Sequence, residues 1–136
     1  MIHAQQLYSF AVNATGGRKV YQNSVPQVSS AYASSGYGDE LAIAALFLSY
    51  ATGSSTFYQD AEDAYSRYNL GNSDVVFNWD SKTPGLAVLF SQVLQADPNL
   101  GGNYSVWRQR AESYFDGMID NAYFTDGQIV LFHSLD

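Results

Sequence analysis

The run Leu-Ala-Ile-Ala-Ala-Leu-Phe-Leu from Leu41 to Leu48 is apolar on every side of a helix, and it continues through Ser49-Tyr50-Ala51-Thr52 to Gly53. A surface helix keeps a polar face, so a helix without one must be covered all round. Ala42, Ala44, Ala45 and Ala51 let covering helices approach closely. The neighbouring segments are one-sided. Gly53 supplies a left-handed stop and Ser54 or Ser55 a cap. Beyond them Phe57, Ala61, Ala64, Tyr65 and Tyr68 form a stripe, with Asp60, Glu62, Asp63 and Arg67 facing away. Thr83-Pro84 predicts a further helix start, since proline suits the first helical position. There Leu86, Leu89, Phe90 and Val93 share a face until Asp97-Pro98. A last helix, Tyr104 to Asn121, aligns Trp107, Ala111, Tyr114, Phe115, Met118 and Ile119, and a first one, His3 to Val12, places Leu7, Phe10 and Ala11 at helical spacing before Gly16-Gly17. Fully apolar helices alternating with one-sided ones predict an all-α chain with two concentric layers, part of an α/α barrel.

With 136 residues, 46% of them apolar and 15% aromatic, residues 1–136 form at most one domain and carry enough apolar surface for a real core. Thirteen acidic residues against six basic ones exclude nucleic acid as the expected partner and suit a neutral or cationic one. The longest apolar run is far short of the ~20 residues that span a bilayer, so no membrane partner is expected. Cysteine is absent, which excludes disulfides and thiolate sites. Asn13-Ala14-Thr15 and Asn103-Tyr104-Ser105 are N-glycosylation sequons, meaningful in a secreted eukaryotic protein. No charged-then-apolar leader opens the chain, so any export signal is expected to have been removed or to lie outside these residues.

Two stretches are predicted as loops. Arg18 to Gly38 is rich in Ser, Gly, Tyr and Gln with Pro26 as a breaker, and so long a loop in a compact domain is usually functional. Asn69 to Lys82 is the second, with Val75-Val76-Phe77 extended. The first loop ends in Ser35-Gly36-Tyr37-Gly38-Asp39-Glu40. Taken alone, this is a helix start, with Asp39 and Glu40 favoured by the positive end of the helix dipole. Asp39-Glu40 and Glu62-Asp63 are adjacent carboxylates, but helical neighbours point about 100° apart and cannot flank one bond. Asp60, Glu62 and Asp63 read as a solvated face. His3 and His133 lack metal-ligand spacing and read as structural or exposed.

His3-Ala-Gln-Gln-Leu-Tyr-Ser-Phe-Ala11, Ala31-Tyr-Ala-Ser-Ser-Gly-Tyr-Gly-Asp-Glu-Leu41, Tyr50-Ala-Thr-Gly53, Tyr58-Gln-Asp-Ala-Glu62 and Phe77-Asn-Trp-Asp-Ser-Lys82 together resemble the central region of glycoside hydrolase family 9, mainly endoglucanases. Ala122 to Asp136 resembles the family's T-x-G-G-L-L segment more loosely. The resemblance implies an (α/α)6 barrel, of six inner and six outer helices, that cleaves internal β-1,4-glucosidic bonds with inversion, in a secreted, extracellular enzyme. An inverting glycosidase needs an acid and a base roughly 6.5–9.5 Å apart. In the family the base comes from a D-A-G-D motif before the region matched by His3, and the acid is a glutamate beyond the region matched by Asp136. No catalytic residue is therefore expected among residues 1–136, which by themselves should be inactive. The implied partners are a β-1,4-glucan and the remainder of the catalytic domain.

The resemblance also implies a calcium site. Family members that bind calcium here use a serine and a glycine through their carbonyls, the Asp-Glu pair, and the aspartate of F-x-W-D; Ser35, Gly36, Asp39, Glu40 and Asp80 stand at those positions. Oxygen-only ligands are what a hard cation requires, and its role would be to pin the long loop to the buried helix and to the Trp79-Asp80 loop. Among aromatics able to stack on sugar rings, Tyr32 and Trp79 sit in loops beside this site, Tyr37 is a further candidate, and Trp107 belongs to an apolar stripe and is expected in the core. The chain departs from the family run D-E-L-x-W-A-A-A-W-L-Y-R-A-T-G, with Ile43 and Phe47 at the tryptophans, which leaves substrate preference open. The alternative from another class is a non-catalytic, calcium-stabilised helical module that binds glucan or a partner protein.

Overall fold

The structure is a computed structural model that describes residues 1–14, 19–72 and 77–120, and the backbone of 123–125 and 128–130. Among the described residues six α-helices run in order: α1 (Ile2–Val12), a one-turn α2 (Ser29–Tyr32), α3 (Gly38–Thr52), α4 (Ser55–Arg67), α5 (Thr83–Ala96) and α6 (Tyr104–Asp120). Strands β1 (Tyr123–Thr125) and β2 (Gln128–Val130) pair antiparallel, Phe124 opposite Ile129. Among the described residues no helix is long and apolar enough to cross a membrane. Gly16-Gly17, Val75-Val76, His133 and most of Ala122 to Asp136 lie outside the described residues.

The apolar run becomes α3, and Gly53 ends it in the left-handed region at φ 66°, its N–H donating to the Ser49 carbonyl at 2.8 Å. α3 packs along α4 and α5, α5 packs along α6, and α1 leans on α3. Ala42, Ala45, Leu46, Leu86 and Phe90 are buried between them. Each large apolar side chain so buried contributes about 1.5–3 kcal/mol. The core continues as an aromatic seam: Phe90 stacks on Trp107 with ring centroids 3.8 Å apart, and Tyr58 and Tyr65 meet these rings edge-on. Trp107 Nε1 donates to the Tyr58 hydroxyl at 3.0 Å, which donates to Glu62 Oε1 at 3.0 Å. Burial, with the Glu62 charge beside it, raises the pKa of the Tyr58 phenol.

Three expectations need correction. α3 is not covered on every side: Phe47 is 57% and Tyr50 63% exposed, because α1, α4 and α5 cover only the opposite part of the helix. On α4 Ala61 and Ala64 are buried as expected, but the fully buried aromatic is Tyr58, with Phe57 only half-buried, so the stripe is wider than expected, and Glu62 is drawn into the seam by Tyr58 and Trp107 rather than solvated. The loop ending at Gly38 is not featureless either: 3₁₀ turns Tyr21–Asn23 and Pro26–Val28 and helix α2 shape it. Its two ends are clasped, Gln22 Nε2 donating to the Ser34 carbonyl at 2.7 Å while Ser34 N–H donates back to Gln22 Oε1 at 3.3 Å.

Candidate functional site

The clasp sets Ser35 and Gly36 at the entrance to α3, where its first turn meets the start of α5. Gly38 opens α3 because the Tyr68 ring lies against it; a β-carbon there would overlap that ring. On the other side, Asn78 Oδ1 accepts from the N–H groups of Asp80 and Ser81, each at 2.8 Å, folding Asn78–Ser81 into a tight turn. This is the side-chain turn that asparagine favours. It aims Asp80 back across the gap, where both carboxylate oxygens accept from Ser35 N–H at 3.0 and 3.2 Å. A cavity of about 400 Å³ lies between the two segments, lined in part by Ser35, Gly36, Asp39, Asp80, Ser81 and Thr83. Four of the five residues expected to bind calcium thus line one space, whereas Glu40 lines a different one, with Leu7, Tyr8 and Leu41.

Lys82 joins these groups. Its backbone N–H donates to the buried Asp39 Oδ2 at 2.7 Å, and its ammonium donates to Glu40 Oε1 at 2.9 Å and to the Trp79 carbonyl at 2.7 Å. The bond to Glu40, then the charges of Glu40, Asp39 and Asp80, raise the pKa of Lys82. Burial, with a hydrogen bond to Asp39 beside it, raises Glu40 against the opposing pull of Lys82. Loss of water contact would raise Asp80 as well, but donors from Ser35 and Ser34 and the charge of Lys82 hold it below the usual carboxylate range. Among the described residues no three His, Asp or Glu side chains converge closely enough to hold a metal as they stand. Glu40 is turned to Lys82 and Asp80 to Ser35. The donor chemistry nevertheless fits a hard cation: Asp39, Glu40 and Asp80 offer carboxylate oxygens, Ser35 and Gly36 offer carbonyls, and an ammonium already stands among the carboxylates as a positive charge.

Beside the junction, Tyr32 and Trp79 meet edge to face at 5.5 Å and 87°, 65% and 58% exposed. Two aromatic rings this open, fixed to a tied turn, can offer a pyranose an apolar face. Tyr37 instead turns inward and meets Tyr68 edge-on, and Trp107 lies in the core as expected. His3 is exposed and pairs with Gln6. Asn13 is exposed with Nδ2 donating to the Ser9 carbonyl, and Asn103 caps α6 by accepting from Val106 N–H. Asn78, Gln22 and Lys82 escaped the sequence reading. The lysine carried a signal, since it is one of only six basic residues and stands two places after Asp80.

Layered helices around an apolar one, with an oxygen-rich junction at its N-terminal end and an aromatic pair beside it, define a wall section of a helical α/α barrel. Residues 1–134 match the sequence model of Glycosyl hydrolase family 9, and the chain belongs to that family. It is 34% identical over 122 residues to Endoglucanase 2 of Arabidopsis thaliana, covering 88% of this chain and 23% of that protein. To Endoglucanase 22 of Oryza sativa subsp. japonica it is 41% identical over 118 residues, covering 82% of this chain and 21% of that protein. The solved endoglucanase of the termite Nasutitermes takasagoensis superposes with a TM-score of 0.73 at 32% identity, over 96% of this chain and 28% of that one. The helices described above are therefore part of the family's (α/α)6 barrel.

Proposed function

We propose that residues 1–136 form part of the catalytic domain of a secreted, extracellular endo-β-1,4-glucanase that hydrolyses internal glucosidic bonds with inversion. The observation that carries this reading is the family match over residues 1–134 together with the aromatic pair held open beside a tied junction. In this reading the acid and base lie in the rest of the domain, which also covers Phe47 and Tyr50. The carboxylates of the junction and the seam have other duties: Asp39 and Glu40 are engaged by Lys82, Asp80 by Ser35, and Glu62 by Tyr58. Tyr32 and Trp79 stack on the glucan, so this section of wall binds and orients without moving a proton. Calcium, when bound, would offset the negative charge of Asp39, Glu40 and Asp80 with further oxygens from Ser35 and Gly36. Asn13 and Asn103 are the glycosylation acceptors, both exposed.

The test is hydrolysis of carboxymethylcellulose by the polypeptide at its natural length, with the anomer of the first product followed by NMR and the assay repeated under chelator. Endo-cleavage giving the α-anomer supports the reading, and a chelator-dependent loss of thermal stability supports the calcium role. Binding of glucan without hydrolysis would replace the enzyme with the non-catalytic module. Retention of the β-anomer would overturn the inverting mechanism.

A further inference from the structure

We propose that Lys82 is a positioning residue for the sugar-stacking platform, its ammonium fixing the Trp79 main chain to Glu40 on α3 so that the Trp79 ring stands edge-on to Tyr32. This rests on the reading of Trp79 as a glucan contact. The Trp79 ring is mostly exposed, so little packing of its own holds it, and its place depends on its main chain. That main chain is held at two points. Asn78 fixes the turn that follows Trp79, and Lys82 Nζ takes the Trp79 carbonyl at 2.7 Å. The asparagine bonds lie within the turn and set its shape, not its place on the barrel. Its place is set from two sides: Asp80 accepts from Ser35 N–H at 3.0 Å on the loop side, and Lys82 reaches α3, where Nζ also donates to Glu40 in the first turn at 2.9 Å and its own N–H donates to Asp39 of the same turn at 2.7 Å. One residue therefore ties the turn, the entrance of the most buried helix and the start of α5. A bond to a charged donor is about twice as strong as a neutral one, so the ammonium holds the Trp79 carbonyl more firmly than the neutral asparagine bonds hold the turn.

The experiment uses the polypeptide at its natural length in calcium-replete buffer, with cellohexaose as substrate, and compares wild type, K82M, K82R, W79A and the K82M/W79A pair. A residue acting through ground-state sugar contact moves KM more than kcat. K82M is expected to raise KM about five-fold with kcat changed by less than about two-fold, and K82R to restore KM close to wild type. W79A is expected to raise KM by about ten-fold, the loss of a single aromatic face, and adding K82M to W79A should raise it no further. Additive effects in the pair, or a K82M variant with unchanged KM, would overturn the positioning role while leaving Trp79 as the contact. Unchanged KM in W79A would overturn the platform reading and this inference with it. Should K82M fail to fold, K82Q carries the same expectation.

Discussion

The aromatic seam of α4, α5 and α6 and the polar junction at the entrance of α3 hold the same set of helices together by opposite means. In the seam, Phe90, Trp107, Tyr58 and Tyr65 interlock by shape, and the few polar atoms complete one another: Trp107 donates to Tyr58 and Tyr58 to Glu62. At the junction there is little to bury, and residues more than forty positions apart are joined by single hydrogen bonds to carboxylates. Burial of rings responds less to ionic screening and proton concentration than bonds to charge do. The rigid part of the wall and the part that answers to its surroundings are therefore separate places, and the exposed rings belong to the second.

Each place can be attacked alone. The largest effect is expected from F90A, which empties the centre of the seam and should cost about 3–5 kcal/mol of unfolding free energy in a urea titration of the natural-length polypeptide. The junction should stay unaltered in that variant, so its response to salt should match wild type. G102A comes next. Gly102 faces the Tyr58 hydroxyl so closely that a β-carbon would overlap it, and overpacking of this kind costs about 1–3 kcal/mol by the same measurement. D39A strips the buried acceptor from Lys82 N–H, leaving a donor unmet at a cost of about 1–3 kcal/mol. Its loss should be accompanied by weaker cellohexaose binding, which G102A should not produce.

Acid separates the two regions more gently. Asp80 is held below the usual carboxylate range, so its contribution to stability is full above its unfolded value of about 3.9 and disappears as pH falls through the lower folded value. Glu40 is raised and acts in the opposite sense: its contribution is present below its unfolded value and is lost as pH rises through the folded one. D80N should therefore flatten the fall of the thermal midpoint on acidification below about pH 4, and E40Q should steepen it. The smallest effect is expected from R108A on the solvent face of α6, where the Arg108 and Glu112 side chains are both largely exposed and a surface pair of this kind contributes little. Its thermal midpoint should match wild type within error.

Periodicity carried the helices well, because an apolar run bounded by Gly53 and a Thr83-Pro84 start are local signals with local causes. It misjudged which of Phe57 and Tyr58 turns inward, since a tyrosine is buried only where a partner meets its hydroxyl, and those partners include Trp107, forty-nine residues away. The all-round burial expected of α3 met the same limit: covering Phe47 and Tyr50 needs neighbours that the described residues do not supply. At the candidate site the residues Ser35, Gly36, Asp39, Glu40 and Asp80 came from resemblance, and no spacing rule links Ser35 to Asp80 across forty-five positions. The role of Lys82 was hidden because it uses a side chain and a backbone N–H toward partners that follow no helical repeat.

The reciprocal clasp between Gln22 and Ser34 makes the segment between them a closed ring with a fixed seat. Whatever happens inside the ring, Ser35 leaves it at the same point and in the same direction. Lengthening such a loop is cheap, about 0.6 kcal/mol for each doubling. Residues 23–31 are thus a natural cassette, in which insertions or foreign sequence could reshape the approach to Tyr32 and Trp79 while the junction beneath them keeps its register.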